Sequence, residues 1–456
     1  MPAANKKNKI GTTNALPVLQ HNAAGIDIGA TEIYVGVPHD RDPRPVRAFA
    51  TFTQDLHALA DWLGKCGVRT VAMESTGVYW IPLYQILESR GIEVCLVNAR
   101  HVKNVPGRKS DVCDCQWLQY LHACGLLRAS FRPKEDVCAL RSLLRHRDTH
   151  ITNAAAQVQR MQKSLALMNV HLHNVISDIT GKTGLAILDA VLAGERDPHK
   201  LAQLRDYRIR ASSDIIVKSL EGDWREEHLF TLEQCLSLYR TYQKMMHECD
   251  VKIERLMKRF ESEPEQSQTC DAPAPKAPRG NDVRFEQGSL SAELHRILGT
   301  DLTRIPGIDS GIAHHLFTEM GADLSAFPSA RHFSSWLGLC PDNRISGGRV
   351  LSVKTREVKS RVATALRMAA QSLCHSKCAL GDFYRRMRSK LGAPKAITAT
   401  AHKLARIVYH LLTTHESYNE SIFAESDAIS QQRRLLRLQR DATALGFKLT
   451  PRESVS

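Results

Sequence analysis

The sequence predicts an α/β domain at the N-terminal end, a helical middle and a mostly α-helical C-terminal domain. Three observations carry this. Short apolar runs alternate with helical periods from residue 24 to 125. Two long segments repeat apolar residues at spacings of three and four. A Pro- and Ala-rich stretch separates these from a last helix-patterned region. Alternating strands and helices indicate a layered α/β sheet, and three-and-four periodicity indicates helices with an apolar stripe.

The opening, MPAANKKNKIGTTNALPVLQ, lacks the apolar core of a secretory signal and reads as a disordered basic tail, 1–21. AGIDIG, EIYVGVP and AFATF read as three strands, followed by the helical QDLHALADWLGKCG. VRTVAME is a strand, VYWIPLYQILESRG a helix, IEVCLVN a strand and DVCDCQWLQYLHACG a helix. Together they make one domain with a mixed sheet, 22–130.

Residues 131–262 form a helical coiled-coil region. Leu140, Leu144, Ile151, Ala154, Val158, Met161, Leu165 and Met168 share one seam, which Arg147 interrupts. Leu232, Cys235, Tyr239, Tyr242, Met246, Cys249, Ile253 and Leu256 form a second. Such seams need partner helices, either as an antiparallel hairpin or bundle within one subunit or by joining two subunits. A loop-rich insert is expected near 175–225. PEQSQTCDAPAPKAPRGNDVR lies in a linker, 263–289, before a mostly helical domain, 290–420, and a charged tail, 421–456.

Lys plus Arg outnumber Asp plus Glu by 62 to 48, a formal charge of +14. That excess points to a polyanionic partner, nucleic acid above all, against the plainer reading of a solvated basic surface. No apolar run reaches the roughly 18 residues of a membrane span. The 12 cysteines come without an export signal, so reduced thiols in the cytosol are expected. Cys113 with Cys115, and Cys374 with His375 and Cys378, do not make paired CxxC knuckles, so no structural zinc is expected there.

Four carboxylates stand out. Asp27 ends the first strand in GIDIGAT, and Glu74 ends the fourth in AMESTG. Asp111 and Asp114 open the helix KSDVCDCQWL on one face. Singly, Asp27 reads as a turn former and Asp111 as a helix cap. Jointly they would repel unless cations neutralise them. Two magnesium ions about 4 Å apart would do so and would clamp a phosphodiester. The order strand-Asp, strand-Glu, helix-Asp-x-x-Asp is that of ribonuclease-H-like nucleases, including the Holliday-junction resolvases (RuvC-like). DIGAT also fits the first phosphate loop of actin-like ATPases, but a second phosphate loop and an adenosine motif are missing from the sequence.

LTRIPGIDSGIAHHLFTEMG resembles a helix-hairpin-helix element that presents backbone N–H groups to DNA phosphate. Beyond it, Ser346 lies in a loop with Gly347 and Gly348, flanked by Arg344 and Arg349. Glycines let a backbone approach phosphate, and arginines fork onto its oxygens. Such a serine is either a nucleophile or a residue of an ordinary flexible turn. The following helix is expected to carry Lys354, Arg356, Lys359, Arg361 and Arg367 against a phosphate backbone.

GIDIG, MESTG and KSDVCDCQWL resemble the catalytic segments of the DEDD transposases of the insertion-sequence-110 (IS110) family. RIPGID, WLGLCPDNRISGG and ALGDFYRRMRSKLGAPKAITATAHKLARIVYHLL resemble that family's C-terminal transposase domain, and RVATALRMAAQSL its IS1111 subgroup. The resemblance implies a RuvC-like DEDD domain with Asp27, Glu74, Asp111 and Asp114 as catalytic metal ligands, and Ser346 as nucleophile. It also implies donor and target DNA, a bridge RNA, and dimers assembling into a tetramer, in the bacterial cytosol. The alternatives are a metal-dependent nuclease that uses water, and a nucleic-acid scaffold without chemistry. If Ser346 is not the nucleophile, Tyr384 and Tyr409 on the later basic helices are next.

Overall fold

The computed structural model describes residues 17–75, 77–98, 111–262, 278 and 280–448. Residues 1–16 of the expected tail and 263–277 of the expected linker lie outside the described residues. The chain divides into two compact units, Met1–Arg132 and Pro133–Ser456.

The first unit is a five-stranded mixed sheet with helices on both faces. Its strands are β1 (Ala23–Ile28), β2 (Glu32–Gly36), β3 (Val46–Ala50), β4 (Thr70–Glu74) and β5 (Glu93–Val97), in the order β3-β2-β1-β4-β5. β2 is antiparallel to β1 and β3, while β1, β4 and β5 are parallel. Side chains alternate across a strand, so each strand serves two layers. Ile26, Ile28, Ile33, Val35, Val71 and Met73 enter a core with α1 (Thr53–Lys65) and α2 (Trp80–Ser89). Leu56, Leu59 and Leu63 supply the stripe of α1, and Leu83 and Leu87 that of α2.

The opposite face carries α3 (Asp111–Ala123). Its path is set by contacts with the starts of two strands. Gln119 Nε2 donates to the Ala23 carbonyl at 3.3 Å, and the His122 ring meets the Thr70 hydroxyl at 2.9 Å. The C-terminal end of α3 therefore sits over the strand starts, and its N-terminal end points toward the strand ends. Gly25 permits this seat. A Cβ there would lie 2.2 Å from the Cys115 carbonyl oxygen and 2.3 Å from the Gln119 nitrogen.

The second unit is mostly helical. α4 (Glu135–Leu167) and α9 (Glu226–Met257) are its longest helices and pack along each other. Arg147 pairs with Asp250, while Met161 and Leu165 share a core with Leu232 and Cys235, so the helices run antiparallel within one chain. Arg147 does not break the seam. It is buried, pairs with Asp250, and donates to the carbonyls of Asn281 and Asp282 at 2.7 and 3.0 Å. On the second seam Leu256 is only half-buried, and Met257 takes the core position.

The insert near 175–225 carries short helices between its loops. It forms α5 (Leu172–Val175), α6 (Lys182–Leu192), α7 (Pro198–Gln203) and α8 (Ser213–Leu220). Asp197 caps α7 with Pro198 in its first turn, and Ser212 caps α8. Ile187, Leu188, Val191, Leu201, Ile216 and Leu220 pack with the distal ends of α4 and α9. The sequence there has little periodicity because each helix is short and buries its residues in a shared core.

The C-terminal end of the expected linker is also held. The backbone N–H of Arg284 reaches Asp250 at 3.2 Å, and that of Glu286 reaches Glu254 at 2.8 Å. Beyond it come α10 (Leu290–Leu298), α11 (Ser310–Met320), α12 (Ala330–Trp336), α13 (Arg361–Ser372), α14 (Ala379–Leu391) and α15 (Ala393–Thr414). Phe317, Phe333, Leu366, Ala369, Leu404 and Val408 are among the buried side chains. Arg141 from α4 donates to the Thr318 and Glu319 carbonyls at the end of α11, where a cation complements the helix dipole. The expected charged tail contains a further helix, α16 (Ala424–Ala444). Among the described residues no helix is long and apolar enough to cross a membrane.

Candidate active-site residues in the two units

In the first unit, parallel pairing of β1 and β4 brings two acids level. Ile26 lies beside Met73, so the next residues along the two strands are Asp27 and Glu74. Alternation turns both toward the face that carries α3, because Gly25 and Ala72 also face it. Both are half-buried. Asp111 and Asp114 lie in the first turn of α3, the end directed at these strand termini, and Asp114 is exposed. Asp27 and Asp114 also act on one thiol between them. Burial pushes Cys115 up to about 12, and the charges of both carboxylates push it the same way. Cys115 is buried, and its thiol stays protonated beside the charges of Asp27 and Asp114.

Sequence reasoning missed Gly25 as the residue that sets how closely α3 approaches. The signal was the small residue two positions before Asp27, on its face of the strand.

In the second unit, Ser346 ends a short strand rather than lying in a loop. β6 (Arg344–Ser346) and β7 (Arg349–Ser352) form an antiparallel hairpin with Ser346 opposite Arg349. Gly347 and Gly348 make its turn with φ of +55° and +74°. Two left-handed residues define the turn whose twist matches a two-residue hairpin, and glycine adopts both without a Cβ clash. Ile345, Ser346, Arg349, Val350 and Leu351 are all exposed, so the hairpin stands clear of the helical core.

Lys354, Arg356 and Lys359 do not lie on a helix as expected. Asp342 N–H bonds the Lys354 carbonyl at 2.8 Å, and Thr355 bridges Pro341. The chain has no helix until the Ser360 side chain caps α13. Lys354, Arg356 and Lys359 are all exposed, and Arg356 also donates to Ser335 Oγ at 3.1 Å. Arg361 and Arg367 are on the helix, and Arg361 pairs with Asp148 of α4 at 3.2 Å. The Gly307 turn of the expected helix-hairpin-helix has a packing role. With φ of +90°, a Cβ there would lie 2.7 Å from the Ala369 carbonyl oxygen. The reserve tyrosines are engaged: Tyr384 is buried, and the Tyr409 hydroxyl donates to the Phe327 carbonyl at 2.7 Å.

Comparison with known proteins matches both parts of the chain. A transposase family model, the DEDD transposase of IS110 elements, matches residues 24–170, which include all four carboxylates. A second model, described as transposase IS116/IS110/IS902 family, matches residues 299–385, which include Ser346 and the basic segment. A Sinorhizobium fredii protein whose name marks it as a candidate transposase, y4pF/y4sB, is 29% identical over 186 residues. That match covers 37% of this chain and 47% of the relative, so the chain spans about half the length of the curated relative it matches. Two models of one family, each over the segment that holds its own set of candidate residues, show that the chain belongs to the IS110 family of transposases.

Proposed function

We propose that this chain is a DNA recombinase that cuts and rejoins DNA, with a carboxylate cluster in a ribonuclease-H-like (RuvC-like) domain and Ser346 as a separate nucleophile. The observation that carries the reading is the parallel pairing of Ile26 with Met73, which puts Asp27 and Glu74 next along adjacent strands, with Asp114 in the first turn of α3 on the same face. The strand order β3-β2-β1-β4-β5, with acids at strand ends, supports the ribonuclease-H-like assignment.

The donor set fits a hard divalent cation. Asp27, Glu74, Asp111 and Asp114 offer only carboxylate oxygens, and the neighbouring thiol stays protonated. Magnesium, as two ions, would be held by these residues and would supply charge stabilisation at a scissile phosphate. The exposed hairpin presents the Ser346 hydroxyl at its tip. In the proposed step, the bond from Ser346 Oγ to phosphorus forms as the bond from phosphorus to one deoxyribose oxygen breaks. The serine proton leaves, and the departing oxygen takes one up. The phosphoserine link then retains the bond energy for strand exchange. Gly347 and Gly348 allow close approach to the DNA backbone, and Arg344, Arg349, Lys354 and Lys359 supply phosphate contacts.

Family membership supports the remaining assignments. These are a catalytic domain over 22–130, a serine-bearing domain over 290–420, a bridge RNA pairing with donor and target DNA, and dimers assembling into a tetramer in the bacterial cytosol. The seam spacing supports coiled-coil packing of α4 on α9, and RVATALRMAAQSL supports the IS1111 subgroup.

Ser346→Ala tests the mechanism. It should lose the denaturation-stable protein–DNA adduct and recombination while still binding DNA, whereas Ser352→Ala should form adduct near the wild-type level. A nuclease using water would cleave equally well with Ser346→Ala and leave free ends. A scaffold would leave DNA intact with the wild type. Either outcome overturns the reading.

A further inference from the structure

We propose that His146, His150 and Cys249 form a zinc site that ties the two long helices of the second unit together. His146 and His150 lie four apart on α4, so they share one face of the helix. Cys249 sits on the facing stripe of α9. One ligand atom from each of the three lies within 4.8 Å of the other two. The two imidazole Nε2 atoms are already 3.0 Å apart, with the rings edge to face. Cys249 carries a free thiol and is buried.

Helix packing alone does not account for this arrangement. His150 Nδ1 is buried without a hydrogen-bond partner, which costs stability. A leucine at this interior position of a helix pair would avoid that cost. The next position on each helix is already electrically closed, because Arg147 and Asp250 pair with each other. No charge is left over from that pair to explain the two histidines.

The donor set selects the metal. Two imidazoles and one thiolate suit a borderline-soft ion that accepts tetrahedral geometry, and zinc meets both conditions. Magnesium prefers oxygen donors, so this site and the carboxylate cluster would not compete for one ion. On binding, the Cys249 S–H proton passes to solvent and the thiolate bonds the metal. His146 is exposed, which opens an entry path and leaves the fourth position to water.

Cobalt(II) alone is the probe, because only a thiolate ligand gives a sulfur-to-cobalt charge-transfer band. Chelator-treated full-length protein should develop that band with visible bands of four-coordinate intensity, and zinc should bleach both. Asp27→Asn should keep the band. Cys249→Ala should lose it, and His146→Ala, at an exposed position, should weaken binding at least about tenfold. Zinc should raise the melting temperature of the wild type but not of His146→Ala. No thiolate band in the wild type overturns the proposal. So does an unchanged band in His146→Ala, which remains decisive if Cys249→Ala fails to fold.

Discussion

Asp27 and Glu74 are half-buried at strand ends. Each isosteric amide removes one charge and little volume. Asp27→Asn, Glu74→Gln, Asp111→Asn and Asp114→Asn should each reduce cleavage to background, while circular dichroism and the melting temperature stay near wild type. Full cleavage by any two of them would remove the cluster from the mechanism. These acids stand out in the sequence because each lies near the end of a strand or in the first turn of a helix, and those boundaries show in the local apolar pattern. The role of Gly25 was not legible. It depends on the backbone of α3, some ninety residues later, lying against it. Ser346 stands out in the sequence by its glycines and arginines. Its place on a strand escaped notice because a three-residue strand has too few positions to display alternation.

At the scale of elements, the long helices were legible from their seams, and their antiparallel pairing was one of the open alternatives. Arg147 reads as a fault in the seam only because its partner is on another helix, 103 residues away. A buried pair contributes little net stability, but removing one partner leaves an unpaired buried charge and costs about 3–5 kcal/mol. Arg147→Met should therefore lower the melting temperature strongly, and Arg147→Met with Asp250→Leu should recover much of the loss. The Asn281 and Asp282 carbonyls and the Arg284 N–H that this pair also engages would limit the recovery. A double variant no more stable than the single one would show that the Arg147–Asp250 interaction itself carries the stability. The helix expected to hold Lys354, Arg356 and Lys359 begins later because Ser360 is the cap. Dense basic residues resemble a helix face in sequence, whereas the Lys354 backbone pairs with Asp342 outside any helix.

For the molecule as a whole, the net charge of +14 was the most legible quantity and the least specific. Nucleic-acid affinity should fall steeply with salt as bound counterions are released. Replacing the exposed Lys354 and Lys359 by Ala should reduce the slope of log affinity against log salt by about 1.8, if each meets one duplex phosphate. An unchanged slope would place the phosphate contacts elsewhere on the protein. The paired helices have a consequence of another kind. Because α4 and α9 run antiparallel, the chain enters and leaves this arm at the same end. The 33 residues of α4 make it about 50 Å long, and the cluster of short helices closes its far end with a core of its own. The arm is thus a detour in the polypeptide. Its reach can be shortened or lengthened by whole turns taken equally from both helices, without altering which segments meet at its base.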